Sequence, residues 1–129
     1  MQLNQVSKLY FVLVKPWKKE DKKKTNQILK RQIEKGLKSI KDKSKIIIAY
    51  EPVWSIGTGV IPKEADLNKT ISFIKSRFVK KYPKILYGGS VNTNNVSILK
   101  KIPSIDGFLI GGASQNPKKF IDIIKKTIN

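Results

Sequence analysis

Short apolar runs alternate along the chain with longer stretches in which apolar residues recur every three or four positions. Apolar runs of this length are typical of strands buried in a parallel sheet, and the longer stretches are typical of amphipathic helices. The alternation therefore predicts an α/β fold of four parallel βα units. The predicted strands are residues 8–14, 45–51, 84–90 and 106–112.

A helix is predicted after each strand, because lysines and other polar residues separate the apolar positions there. The last helix begins at Asn116, a residue type favoured at helix N-caps, and Pro117 follows at the first helical position. The predicted helices are residues 20–41, a stretch introduced by Pro62 with Leu67, Ile71, Ile74 and Phe78 on its apolar face, residues 94–101, and the stretch from Asn116 with Phe120 and Ile124 on its apolar face.

The composition is strongly basic: the 129 residues include 27 Lys and Arg against 9 Asp and Glu, a formal charge of +18. Such a charge suggests a polyanion as partner. Only Arg31 and Arg77 are arginines, however, and proteins that read nucleic acid usually depend on arginine for bidentate contacts. A basic nucleic-acid-binding module stays open as an alternative, but we expect no specific nucleic acid as partner and interpret the charge as a solvated surface.

The chain contains no cysteine and no histidine, which excludes disulfides, thiolate chemistry and the usual zinc sites. We expect neither a metal nor a cofactor, and general acid–base chemistry falls to carboxylates, lysine or tyrosine. No apolar run is long enough to span a bilayer, and the first eight residues lack the core of a signal peptide. The expectation is a cytoplasmic protein without a membrane partner.

Each of the last three predicted strands ends in a loop that is rich in glycine: "WSIGTG", "YGGS" and "GGAS". Glycine has no Cβ, so backbone N–H groups in such loops approach an anion closely, and helix N-termini favour negative charge. Parallel α/β folds bind ligands at the carboxyl ends of their strands. The three loops together therefore predict a phosphate site, and Glu51 lies at the same edge because it ends the second strand.

Three segments, "AYEPVWSIGTG", "ILYGGSVN" and "DGFLIGGAS", resemble in order and separation the C-terminal signature segments of the triosephosphate isomerase family. The resemblance covers about residues 28–129 and weakens toward the start. It implies that residues 1–129 form a single partial domain, the C-terminal half of a TIM (β/α)8 barrel, with the N-terminal half absent. It also implies the interconversion of glyceraldehyde 3-phosphate and dihydroxyacetone phosphate in glycolysis and gluconeogenesis.

The resemblance identifies Glu51 as the catalytic base, which moves a proton between the two carbons that flank the carbonyl of a triose phosphate. A surface glutamate at a strand end is the alternative interpretation. Residues 52–60 resemble the lid that closes over the substrate in the family, with Pro52 and Val53 at a hinge and Gly57 at the tip. The other lid residues implied by the resemblance are Trp54, Ile56, Thr58 and Gly59.

The resemblance also assigns residues around the substrate phosphate. Gly88 and Gly89 shape the loop after the third strand, and Leu109 forms part of the pocket wall. Tyr87 resembles a tyrosine whose hydroxyl group bonds to the closed lid, and a core aromatic residue at a strand end is the alternative. The backbone N–H groups implied to hold the phosphate are those of Gly57, Ser90, Gly111 and Gly112.

Two active-site residues of the family, a lysine that ends its first strand and a histidine that ends its fourth, belong to the half that this chain does not match. We therefore expect the chain to be inactive without a complementary N-terminal half. Self-association, since the family is homodimeric, is the other way to bury the open edges and apolar inner face of a half-barrel. A non-catalytic or vestigial half-barrel that retains phosphate binding stays open as an alternative function, ahead of the nucleic-acid-binding module.

Overall fold

The computed structural model describes residues 8–15 and 22–129. The predicted start of the first helix, at residue 20, lies outside the described residues. In chain order the elements are β1 (Leu9–Lys15), α1 (Lys22–Gly36), β2 (Ile46–Pro52), α2 (Glu64–Lys75), β3 (Lys84–Tyr87), α3 (Val96–Leu99), β4 (Gly107–Phe108) and α4 (Pro117–Ile128), with short 3₁₀ turns at Lys43–Lys45, Val53–Ser55 and Gly112–Gln115.

The four strands form one parallel sheet in the order β1-β2-β3-β4, which confirms the predicted α/β fold of four βα units. β3 and β4 are shorter than the predicted strands 84–90 and 106–112, which continue as loops. Glycine weakens a strand because it has no side chain to pack on the pleated surface. The N–H of Gly88 still donates a hydrogen bond to the carbonyl of Tyr50 at 2.9 Å, so the loop after β3 stays against β2.

The helices agree with the predicted positions and differ mainly at their ends. α1 ends at Gly36, short of the predicted end, because glycine is a poor helix former. Phe78 lies beyond the end of α2 but is still buried. α4 begins as predicted, with Pro117 as its first residue and the side chain of Asn116 accepting a hydrogen bond from the N–H of Lys119 at 3.1 Å. Within the described residues, no helix combines the length and the apolar character that crossing a bilayer requires.

One face of the sheet carries the hydrophobic core. The pairing register places Leu13, Tyr50 and Tyr87 side by side on this face, and each of them is buried. Burial of these side chains under the helices is the main favourable term in folding. The helix residues that pack in the same core include Leu29, Ile33 and Leu37 of α1 and Leu67, Ile71 and Ile74 of α2.

The opposite face of the sheet is largely apolar but partly open to solvent. Val12, Ala49 and Leu86 are paired across this face, where Val12 is 41% exposed and Tyr10 is 59% exposed. Glu51 lies on the same face, because alternate residues of a strand point to the same side and Glu51 follows Ala49 by two positions. Parallel sheets are normally covered on both faces. The open face is therefore a surface that further protein can cover.

Candidate active site

The carboxyl ends of β2, β3 and β4 surround one open cavity of about 920 Å³. This is the edge at which the glycine-rich loops predict a ligand site. The cavity brings together most of the residues that were predicted from the sequence: Glu51, Ile56, Gly57, Gly59, Gly88, Gly89, Ser90, Leu109, Gly111 and Gly112. The remaining predicted residues do not line the cavity: Pro52 and Tyr87 are buried, Trp54 is half-buried, and Val53 and Thr58 are exposed.

Glu51 is the residue before the end of β2, and its half-buried side chain passes over Gly88. A Cβ at position 88 would lie 2.7 Å from Cγ of Glu51 and 3.1 Å from its Oε1. Real Cβ atoms do not approach other atoms closer than 3.0 Å, so a glycine at position 88 is what leaves the Glu51 side chain in place. A carboxylate held at the edge of a cavity can exchange a proton with a bound molecule.

Residues 52–60, the predicted lid, fold into a series of tight turns. The 3₁₀ turn over Val53–Ser55 follows β2 directly. The carbonyl of Ser55 then accepts hydrogen bonds from the N–H of Thr58 at 3.3 Å and from its hydroxyl group at 2.9 Å. These bonds give the segment a defined conformation of its own.

The tip of the lid contains two glycines and is attached to the loop after β3. Gly57 has a φ of 70° and Gly59 a φ of 75°, a left-handed conformation that side chains other than hydrogen rarely allow. The N–H of Gly59 donates a hydrogen bond to Oγ of Ser90 at 3.0 Å. The lid therefore lies against the loop that carries Ser90.

Ser55 is a residue of this site that the sequence pattern did not single out. Its side chain is fully buried, and its Oγ lies 3.2 Å from the hydroxyl oxygen of Tyr87. It also accepts a hydrogen bond from the backbone N–H of Ser90 at 3.2 Å. The signal in the sequence is that Ser55, a residue with a hydroxyl group, lies between the apolar Trp54 and Ile56. A hydroxyl group that is buried with such neighbours needs hydrogen-bond partners, which indicates contacts with another part of the chain.

Tyr87 is a core residue whose hydroxyl group reaches the lid. Its side chain is fully buried in the hydrophobic core, and its oxygen contacts Ser55 at the end of the first lid turn. Burial raises the pKa of the Tyr87 phenol above its ordinary value, while the hydrogen bond with Ser55 lowers it. The net shift is upward, so the phenol is neutral near pH 7 and can act as donor or acceptor.

Asparagine side chains hold the loop after β3, and the sequence pattern did not single them out either. Asn95 is buried, and its Nδ2 donates to the carbonyl of Ser90 at 2.8 Å. Its Oδ1 accepts from the N–H of Asn92 at 2.9 Å, and Oδ1 of Asn92 in turn accepts from the N–H groups of Asn94 and Asn95. The signal was the cluster of asparagines itself, because this residue type bonds to nearby backbone in turns.

Gly111 and Gly112 follow β4 and form another part of the cavity wall. A Cβ at either position would meet no atom within 4 Å, so the space beside both glycines is open. Gly112 begins the 3₁₀ turn Gly112–Gln115, and the N-terminus of α4, with Asn116 as its cap, follows this turn. Exposed backbone beside a helix N-terminus is a favourable place for an anion.

The charged residues of the cavity wall, within the part of the chain that the structure describes, are Glu51 and Lys119. No group of three or more His, Cys, Asp or Glu residues in residues 8–15 and 22–129 is placed to hold a metal ion. The wall thus combines a carboxylate, an ammonium group and several glycine loops. Such a set of groups suits proton transfer on a small anionic molecule.

Comparison with known proteins gives one family. A family model described as triosephosphate isomerase matches residues 14–127. The triosephosphate isomerase of Mycoplasma mobile is 49% identical over 102 residues, which cover 79% of this chain and 42% of the relative. That of Thermodesulfovibrio yellowstonii is 39% identical over 124 residues, covering 92% of this chain and 50% of the relative. That of Synechocystis sp. is 42% identical over 104 residues, covering 81% of this chain and 43% of the relative.

The chain spans about half the length of these curated relatives. The matched region nevertheless includes all of β2, β3 and β4 and the loops that follow them. The chain therefore belongs to the triosephosphate isomerase family.

Proposed function

We propose that the chain supplies one half of a triosephosphate isomerase active site, which interconverts glyceraldehyde 3-phosphate and dihydroxyacetone phosphate in the glycolysis and gluconeogenesis of the cytoplasm. The observation that carries the proposal is a shared cavity, in which Glu51 faces the same space as Gly57, Ser90, Gly111 and Gly112. A base beside phosphate-binding loops is the arrangement that moves protons on a small phosphorylated carbonyl compound. Membership of the family supports the same class of substrate.

Glu51 is the proposed base. Its carboxylate takes a proton from the carbon next to the substrate carbonyl, and the electron pair of the broken C–H bond forms the double bond of an enediol. The carbonyl oxygen takes a proton from a donor of the complementary half in this step. Glu51 then gives its proton to the former carbonyl carbon, while the hydroxyl group on the first carbon loses its proton to that donor and becomes the new carbonyl. Proton transfer by a positioned side chain contributes about 10²–10⁴ in rate.

The phosphate group of the substrate is proposed to bind to backbone N–H groups. Backbone donors fixed by turns and loops need little reorganisation when an anion arrives, which makes them effective. Closure of the lid, residues 52–60, excludes water from the cavity, and Leu109 contributes to the wall. The proposed donors are the N–H groups of Gly57, Ser90, Gly111 and Gly112.

The carbonyl oxygen of the substrate needs a donor, and the histidine that the family resemblance implies for this role has no counterpart in the chain. The chain has no histidine, and Lys119 is the cation of the cavity wall among the described residues. Loss of a donor at an oxygen that develops charge costs about 10²–10³ in rate. We therefore assign the missing donors to a complementary half, carried by another chain or by a longer form of this one.

We propose that the complementary half covers the open face and the two edges of the sheet in this chain. β1 and β4 are its outer strands, and an apolar groove of about 320 Å³ beside β4 is lined by residues that include Phe108, Ile110 and Phe120. A second copy of the chain would bring another charge of +18 to this surface, and that repulsion opposes self-association. We therefore favour a complementary half that is less basic than this chain over a second copy of it. Residues 1–129 then form a single partial barrel domain.

The test mixes the chain with a separately produced first half of the Mycoplasma mobile relative and follows turnover of glyceraldehyde 3-phosphate. We expect no turnover by the chain alone and measurable turnover by the mixture. Glu51→Ala should lower the restored rate by about 10²–10⁴. Glu64→Ala removes an exposed carboxylate of α2 outside the cavity and should leave the rate unchanged. Robust turnover by the chain alone, or a restored rate that does not depend on Glu51, would contradict the proposal.

A non-catalytic half-barrel that binds phosphate is the second candidate. It is favoured by one observation: the four residues proposed to bind phosphate all line the cavity, whereas the chain contains no histidine. Binding of inorganic phosphate without turnover in any mixture would favour this function over the isomerase.

A further inference from the structure

The backbone N–H of Ser90 already has a partner inside the protein. It donates to Oγ of Ser55 at 3.2 Å. Both residues are buried: Ser90 is 8% exposed and Ser55 is 0% exposed. The proposed function gives the same N–H group to the substrate phosphate. Since one N–H group makes one strong hydrogen bond, an arriving phosphate oxygen competes with Ser55 for it.

Ser55 has a second partner, and this allows it to give up the first. Its Oγ also lies 3.2 Å from the hydroxyl oxygen of Tyr87, and a hydroxyl group can both donate and accept. When the N–H of Ser90 bonds to an anion, the hydroxyl group of Ser55 keeps its bond to Tyr87. No buried polar group is then left without a partner, which would be costly.

The rest of Ser90 is held by bonds that do not involve its N–H group. Its Oγ accepts from the N–H of Gly59 at 3.0 Å, and its carbonyl accepts from Nδ2 of Asn95 at 2.8 Å. Both bonds can stay in place while the N–H group changes partner. The exchange therefore needs no large movement of the loop.

We propose that Ser55 is a positioning residue that holds the N–H of Ser90 in the empty site and releases it to the phosphate group of a bound substrate. This inference rests on the proposed function, which assigns the anion to Ser90. Because the internal bond must be broken, Ser55 lowers the affinity for phosphate by about 3–10-fold, the net worth of one hydrogen bond. Ser55 also ends the 3₁₀ turn Val53–Ser55, so the bond that is exchanged lies at the start of the lid.

The first measurement is hydrogen exchange of the Ser90 amide in the unliganded full chain, followed by NMR. Ser55→Ala removes the acceptor and should accelerate this exchange by about 3–10-fold. Tyr87→Phe is the matched control, because it removes the other partner of Ser55 and should leave Ser90 protected. The amide of Gly88, which donates to Tyr50, reports general loosening and should not change. Equal exchange of Ser90 in the wild type and Ser55→Ala would overturn the inference.

The second measurement is the affinity of the same proteins for inorganic phosphate. Ser55→Ala should bind about 3–10-fold more tightly than the wild type, a gain that lost packing does not produce. Tyr87→Phe should show no such gain. Ser55→Cys keeps much of the side-chain volume with a weak acceptor, and it should give the same direction if the alanine variant fails to fold.

The outcomes separate this inference from the proposed function. Unchanged or weaker phosphate binding by the Ser55 variants, with binding retained in the wild type, would overturn the inference alone. Accelerated exchange of Ser90 together with no phosphate binding by any of the proteins would overturn the proposed phosphate site, and the inference with it.

Discussion

Gly89 lies directly against the hydroxyl group of Tyr87, so that a Cβ at position 89 would overlap with this oxygen. The same Cβ would lie 2.5 Å from Oγ of Ser55. Gly89 does not have a positive φ, so a larger side chain is excluded here by steric overlap and not by the backbone conformation. The closest packing of the site is thus found where the lid, the core and the loop after β3 meet.

Gly89→Ala is expected to lower the free energy of unfolding by about 1–3 kcal/mol, because the surrounding groups are buried and must shift. Gly112→Ala is the matched control, since a Cβ there meets no atom within 4 Å and Gly112 begins a 3₁₀ turn. Its effect should stay within about 0.5 kcal/mol. Urea denaturation of both variants measures the difference, and equal stabilities would show that the loop after β3 has room for a methyl group.

Gly88→Ala tests the position of the Glu51 side chain. The added Cβ would lie 2.7 Å from Cγ of Glu51, so the carboxylate has to move away from its place at the cavity. Small misplacement of a reacting group costs up to about 10²-fold in rate. In the complemented isomerase assay we expect kcat to fall by about 10–100-fold with a smaller change in KM. A change confined to KM would argue that residue 88 acts on substrate binding.

The ionisation of Tyr87 predicts a pH dependence of stability. Burial raises the pKa of its phenol above the ordinary value of 10.0, so the folded state favours the neutral form. The contribution of this neutral phenol is complete below about pH 10 and is lost as the pH rises through the folded pKa. Tyr87→Phe cannot ionise and should lose less stability above about pH 10 than the wild type.

Unfolding by urea on both sides of this range measures the effect. Both proteins carry the same other ionisable groups, so the difference between wild type and variant isolates Tyr87. A difference in the free energy of unfolding that stays constant with pH would contradict the prediction.

The lysine-rich surface predicts weak binding to duplex DNA that does not depend on sequence. With a formal charge of +18 but only Arg31 and Arg77 as arginines, the chain can neutralise phosphates but has few bidentate groups to read bases. Affinity should fall steeply between about 50 and 200 mM salt. Fluorescence anisotropy with two unrelated duplexes tests this. Preference for one duplex that persists at physiological salt would revive the nucleic-acid-binding alternative.

The strands could be predicted because their pattern has a direct physical cause. Ile46–Tyr50 is apolar at every position, which is typical of strands in parallel sheets because both faces of such sheets are normally covered. The carboxyl ends of parallel strands lie at one edge, and for this reason Glu51 and the glycine loops could be expected around one cavity. β4 extends over fewer residues than its apolar run, although the N–H of Leu109 still donates to the carbonyl of Tyr87 at 3.0 Å. Glycines end the run.

The contacts of Ser55 could not be predicted in the same way. Its partners Tyr87 and Ser90 lie 32 and 35 positions further along the chain, and a single hydroxyl group has no periodic pattern. These bonds depend on how the lid packs on the loop after β3. Local patterns determine the elements and their order, whereas the pairing of polar side chains becomes visible only in the folded protein.

Strand order equals chain order in this sheet, so every strand pairs with a neighbour in the sequence. The shortest connection joins β3 and β4, where Leu86 pairs with Gly107, while Ile47 in β2 pairs with the more distant Lys84. Shorter loops close with less loss of chain entropy, and local contacts speed folding. Folding that starts from β3 and β4 and adds β2 next forms the whole cavity edge before β1 joins the sheet.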